Sequence, residues 1–205
     1  NYNPLYSAVS PYGESTPNRN GLKYSFSFDN SKTIQAKGDF GFFNEAIGQG
    51  TLEKRSFFVG GANILVKIDE LLNLKNKTTA ELSFNSENVR RGGSDLESIN
   101  FNSSLISAGA SYELFKNLKL IAGLKSFVGK GNEVGTERNN YDEIIGYDLY
   151  NYDSQESIML IGLQYNFTND IYFSLQTNKI EITDKIDDIN RLSLSRVYFM
   201  FNMNL

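Results

Sequence analysis

Period-two alternation governs most of this chain. At its end, Val197, Phe199, Phe201, Met203 and Leu205 fall on one side of an extended strand, and Arg196, Tyr198, Met200, Asn202 and Asn204 on the other. The same pattern recurs upstream. Leu22, Tyr24, Phe26 and Phe28 alternate with Lys23, Ser25 and Ser27, and Ile34, Ala36, Gly38, Phe40 and Phe42 alternate with Gln35, Lys37, Asp39 and Gly41. Further one-sided runs are Phe58 to Ile68, Ala80 to Phe84, Ile106 to Leu114, Leu118 to Leu124, Met159 to Phe167 and Ile171 to Leu175. Each predicts a strand. Leu5-Tyr6-Ser7-Ala8-Val9 reads as a further short strand, which brings the expectation to about ten, or eight if two segments are misread.

Connections alternate between short and long. Short ones fall near Asn30, Lys116 and Asn169, with an intermediate one over residues 69–77; long ones fall near Gly48, Gly93, Tyr141 and Asp187. Residues 87–100, 129–156 and the stretch around 184–190 read as polar loops. This phase predicts an up-and-down order with all short turns at one end.

So apolar a closing strand would be an aggregation hazard as the free edge of a sheet in water. It is at home where one face meets lipid and the edge is paired. The expected fold class is therefore all-β: a closed antiparallel up-and-down transmembrane β-barrel over residues 22–205, preceded by an N-terminal extension or short first strand over residues 1–21. That extension carries all 3 prolines. The 205 residues hold no apolar run of about 18, which excludes a transmembrane helix. Mean hydropathy of -0.36 fits a barrel that hides its apolar residues in alternate positions. Absence of Cys removes disulfides and thiolate metal sites. Absence of His removes the commonest general base and transition-metal ligand. A net charge of -4 disfavours nucleic acid as a partner.

The last strand, with Phe199 and Phe201 and the apolar end residue Leu205, resembles the C-terminal signal of outer-membrane proteins. The phrases from Tyr112 to Gly123 and from Gly162 to Phe173 look like outer-membrane hairpins, and the Tyr- and Asn-rich style is similar to barrels of the Bacteroidota. Leu205 departs from the aromatic with which that signal usually ends. The resemblance implies a location in the bacterial outer membrane with periplasmic termini, lipid as surroundings, and the barrel-assembly machinery as partner during insertion. It supplies no catalytic residue.

Candidate chemistry lies in three places. The side opposite the apolar one carries Lys23, Lys37, Asp39, Arg55, Lys67, Glu81, Glu113, Lys119, Lys125 and Arg196, a lumen charge network expected to pair through Asp39, Glu81 and Glu113. A barrel of about eight strands is filled by its side chains, which favours a plug over an aqueous path. The 139–153 stretch is rich in tyrosine, and Tyr141, Tyr147, Tyr150 and Tyr152 are candidates for partner contact. Its acids Asp142, Glu143, Asp148 and Asp153 match no calcium-loop spacing, so no metal is expected. Asp184, Asp187 and Asp188 read as loop acids, and Arg90-Arg91-Gly92-Gly93 as an exposed turn with a weaker claim to phosphate. The functional expectation is a non-enzymatic outer-membrane anchor, scaffold or subunit of a complex serving secretion, uptake or biogenesis, with no cofactor. The rivals are a narrow solute channel and a soluble β-barrel binding an apolar ligand.

Overall fold

The computed structural model describes residues 19–30, 32–47, 53–93, 98–168, 171–186 and 191–203. Among the described residues, nine antiparallel strands form one sheet in chain order: β1 (Arg19–Asp29), β2 (Ile34–Glu45), β3 (Ser56–Lys67), β4 (Thr78–Arg91), β5 (Ile99–Phe115), β6 (Leu118–Arg138), β7 (Ile144–Asn166), β8 (Ile171–Asp184) and β9 (Arg191–Met203). One short helix, α1 (Ile68–Leu72), lies between β3 and β4. The fold is thus all-β, antiparallel and up-and-down. The expected strand at residues 5–9 lies outside the described residues.

Turn chemistry explains the hairpins. The Asn30 side-chain oxygen accepts from the backbone N–H of Thr33 (2.8 Å) and Ile34 (2.9 Å), closing the β1–β2 turn. Asn73 after α1, Asn117 between β5 and β6, and Asp142 between β6 and β7 all take positive φ, which Asn and Asp tolerate. These turns sort into two ends. The β1–β2, β3–β4, β5–β6 and β7–β8 connections share one, here the short-turn end; the others share the long-loop end.

Register assigns every residue to a face. Odd positions on β1 to β6 and even positions on β7 to β9 share the inner face. On that face Phe57, Val89, Ile99, Phe101, Leu105, Phe127, Ile158 and Ile180 form one buried cluster, joined by Phe43, Tyr152, Ile182 and Leu194. A single sheet can bring side chains of strands β2 to β9 together only by curling around that face. The Arg19 guanidinium sits 3.6 Å over the Phe57 ring, so β1 reaches the same cluster.

Polarity inverts along the strands. Toward the long-loop end, β5 turns Ile99, Phe101 and Leu105 inward and Asn100 and Asn102 outward; toward the short-turn end, it turns Ile106, Ala108, Ala110 and Tyr112 outward and Ser107, Gly109 and Ser111 inward. On β7, Ile158 is buried inside while Met159, Ile161, Leu163 and Tyr165 are exposed outside. β3 switches between Phe57 and Phe58. The result is a crown with an apolar interior and polar exterior, standing on a belt with the opposite arrangement. In the belt, Phe199 is 71% exposed and Val197 69%. Belt aromatics touch one another: Tyr24 stacks on Phe40 at 5.2 Å, Phe42 tilts on Phe58 at 4.9 Å, and Phe173 meets Phe199 at 5.2 Å.

The 129–156 stretch is not a loop, as its polarity suggested, but the pairing of two long strands of 21 and 23 residues. Of the stretch 87–100, residues 87–91 and 99–100 are likewise strand, and residues 94–97 lie outside the described residues. Tyr, Ile and Thr favour extended backbone there despite the acids. β5 pairs with β6 only as far as Gly131, and β8 pairs with β7 only from Ser154. Beyond that level β6 and β7 stand as a two-stranded ribbon. Gly131 roots it: its φ is +138 and a Cβ would sit 2.0 Å from the Asn100 carbonyl oxygen, so glycine is required.

Among the described residues the outermost strands are β1 and β9, and both run toward the short-turn end, as nine alternating strands dictate. Among the described residues no hydrogen-bonded pairing joins them.

Candidate functional site

The inner face collects the residues expected to form a lumen network. Lys23, Lys37, Asp39, Lys67, Glu81, Glu113, Lys119, Lys125 and Arg196 all hold inner-face register positions. Arg55 lies just before β3 and meets Glu45: the carboxylate accepts from the Arg55 backbone N–H at 2.9 Å, and the guanidinium approaches to 3.8 Å. The expected pairing is partly realised. Lys23 reaches Asp39 at 3.6 Å. Glu81 instead accepts from Asn63 Nδ2 at 2.6 Å, because its cross-strand neighbours are Leu65 and Gly109 rather than cations. Glu113 and Lys119 face each other in register without an ion pair among the described residues; a bulge between Glu113 and Phe115 re-aims the strand there.

A cavity of about 850 Å³ opens within the inner face. Glu81, Ser107, Lys125, Gln176, Asn178, Arg196 and Tyr198 form its polar wall, and Ile158, Leu160, Ile180 and Met200 its apolar one. Ile158 and Ile180 belong also to the crown cluster, which therefore borders the cavity on the side of the long loops.

The ribbon carries the tyrosines. Tyr141 is 85% exposed, and Tyr147 and Tyr150 are exposed beside Ile144 and Ile145. Tyr152 is different. It turns inward onto Phe101, edge to face at 6.0 Å, and packs, partly buried, against the core cluster. The acids of this segment are separately engaged: Asp142 with Arg138 (3.2 Å), Glu143 with Asn139 (2.8 Å), Asp148 with the Leu149 N–H (2.7 Å) and Asp153 with Lys130 (3.0 Å).

The other candidates separate. Arg90 is exposed while Arg91 is buried, so alternation sends the two guanidiniums to opposite faces and they form no phosphate clamp. Asp184 accepts from the Ile186 N–H at 3.0 Å, a loop-shaping bond; Asp187 and Asp188 lie outside the described residues. Val197, Phe199 and Phe201 line the outer belt, with Met203 ending β9 and Leu205 outside the described residues.

Sequence reading missed the crown core and, within it, Glu156. This carboxylate is 1% exposed, its register neighbours are Phe127 and Ile182, and its Oε1 has no hydrogen-bond partner among the described residues. Such a buried orphan costs about 1–3 kcal/mol. Glu156→Met should therefore raise the urea midpoint of the protein, by a shift corresponding to about 1 kcal/mol or more; an unchanged or lower midpoint would show that the carboxylate is satisfied.

Comparison with family models, curated proteins and solved structures returned no significant match to this chain.

Proposed function

We propose that this chain is a non-enzymatic integral outer-membrane β-barrel that serves as anchor, scaffold or subunit of a larger outer-membrane complex. The observation that carries this reading is the inversion of polarity along single strands. A sheet wholly in water has no use for an outer belt of exposed Phe, Leu, Ile and Val, and a sheet wholly in lipid has no use for a polar exterior over a packed apolar core. A bilayer at the belt, with the crown in water, accounts for both. On β7 the outer apolar run from Met159 to Tyr165 extends roughly 20 Å along the strand at about 3.4 Å per residue, somewhat less than the ~25 Å height of a barrel's apolar band. The short-turn end is then periplasmic, and the Tyr-bearing ribbon rises outside as the surface for a protein partner in secretion, uptake or biogenesis. The Phe199/Phe201 strand is the segment offered to the assembly machinery.

Closure of the sheet into a barrel is part of this proposal, and strand direction sets what it requires. Because β1 and β9 run the same way, an antiparallel ring needs one more strand between them, and Leu5 to Val9 is the sequence's candidate. A channel is the weaker reading, since the crown cluster obstructs the interior.

The test is fractionation after expression in a Gram-negative host. The chain should stay in the membrane pellet through an alkaline carbonate wash, require detergent for release, and migrate differently before and after boiling on a denaturing gel. Recovery in buffer without detergent would defeat the proposal. A steady open current in planar bilayers would favour the channel.

A further inference from the structure

The interior cavity has the features of a built site. Gly109 and Gly123 face each other across β5 and β6 on its wall. Neither is demanded by the backbone. A Cβ on Gly109 would meet nothing closer than the Ala122 carbonyl oxygen at 3.9 Å, and one on Gly123 nothing closer than the Ala108 oxygen at 3.7 Å. Both distances are ordinary contacts and neither residue has positive φ. This contrasts with Gly131, where no side chain fits. The missing side chains at Gly109 and Gly123 therefore serve the space itself.

Charge defines what the space suits. Lys125 enters it between cross-strand neighbours Ser107 and Ile158 and makes no ion pair among the described residues. Arg196 lines the same cavity from β9 and donates to the Tyr198 hydroxyl at 3.5 Å. The acid on the wall, Glu81, is already held by Asn63. Lys125 is exposed, and its ammonium stands beside the apolar wall, where an anion bearing an apolar group gains both a charge partner and buried area. The wall of Ile158, Leu160, Ile180 and Met200 rewards an apolar portion on that anion.

We infer that this cavity binds a small amphipathic anion, a carboxylate or phosphate bearing an apolar chain or ring, with its charged group at Lys125 and its apolar part against Ile158, Leu160 and Met200. The volume lies within the usual range for such sites, about 300–1,000 Å³. Such an anion comes from the membrane, as an acyl species, or from solution. The inference depends on the interior alone, so it stands whether lipid or water surrounds the belt.

The experiment uses the full chain in phosphatidylcholine nanodiscs, or in buffer should it prove soluble, with dansyl-labelled undecanoate as probe and empty discs subtracted. Decanoate and decyl phosphate should displace the probe, and decanol and decyltrimethylammonium should do so at least about tenfold less well. Lys125→Gln should weaken binding about tenfold and erase the preference for decanoate over decanol. Gly123→Leu should abolish binding while leaving thermal stability equal or higher. Lys179→Gln on the outer face should change nothing. Displacement by decanoate but not by phenylacetate assigns the acyl source; displacement by both assigns the soluble one. A signal no greater than that of empty discs, equal competition by decanol, or full binding by both Lys125→Gln and Gly123→Leu would overturn the inference.

Discussion

Leu82→Arg is expected to abolish recovery of folded protein from membranes, whereas Gln155→Arg is expected to leave it unchanged. Both side chains lie on the outer face and both are exposed. They differ only in level. Leu82 lies midway along the belt portion of β4, across from Ile64 and Ala108, whereas Gln155 lies on the crown portion of β7, across from Val128 and Thr183. In water the two substitutions would be equally harmless. With a bilayer at the belt, the arginine at position 82 costs about 2–4 kcal/mol, and the one at 155 nearly nothing. The readout is the fraction of heat-modifiable, protease-resistant protein in liposomes. Equal behaviour of the two variants would sink the membrane reading even if the wild-type chain pelleted with membranes.

Phe127→Ala should destabilise the crown by about 3–5 kcal/mol. The ring is 2% exposed, sits in the buried cluster of the inner face, and packs at the level of Leu105 and Glu156. Truncation leaves a cavity in a core drawn from most of the sheet, so the loss should spread to neighbouring strands. Urea titration followed by tyrosine fluorescence should show the lower midpoint. Limited proteolysis should cut the ribbon beyond Gly131 at lower urea than in the wild type. Phe28→Ala, on the outer face of edge strand β1, should change the midpoint far less. Comparable losses at both positions would contradict a core confined to the inner face.

The nine strands were legible because each belt segment keeps one apolar phase over its length, as from Ile106 to Leu114. The crown was not, for a physical reason. A reader following a single phase meets Ile99, Phe101 and Leu105 out of step with Ile106 and Ala108, and takes the polar residues between them for loop. The signal that marks the switch is an adjacent apolar pair: Phe57-Phe58, Leu105-Ile106 and Ile158-Met159 each contain one inward and one outward side chain. Inner-face positions were readable from alternation, but their pairing was not. Whether Glu81 finds a lysine or Asn63 depends on which residue lies across the ladder, and register is set by turns and bulges rather than composition. The tyrosines show the same limit: Tyr150 is exposed and Tyr152 packs on Phe101, a difference fixed by where β5 stops pairing with β6, at Gly131, which lies across from Tyr152.

With a bilayer at the belt and water at the crown, as proposed, one sheet acquires two sensitivities to cold. The crown is gathered by the expulsion of water from Phe57, Val89, Phe101 and Phe127, a drive that fades on cooling. The belt, once its neighbours are hydrocarbon, is held by its ladder of backbone bonds, which chilling does not weaken in that way. Near freezing, the top of the molecule should loosen first while its lower half stays intact.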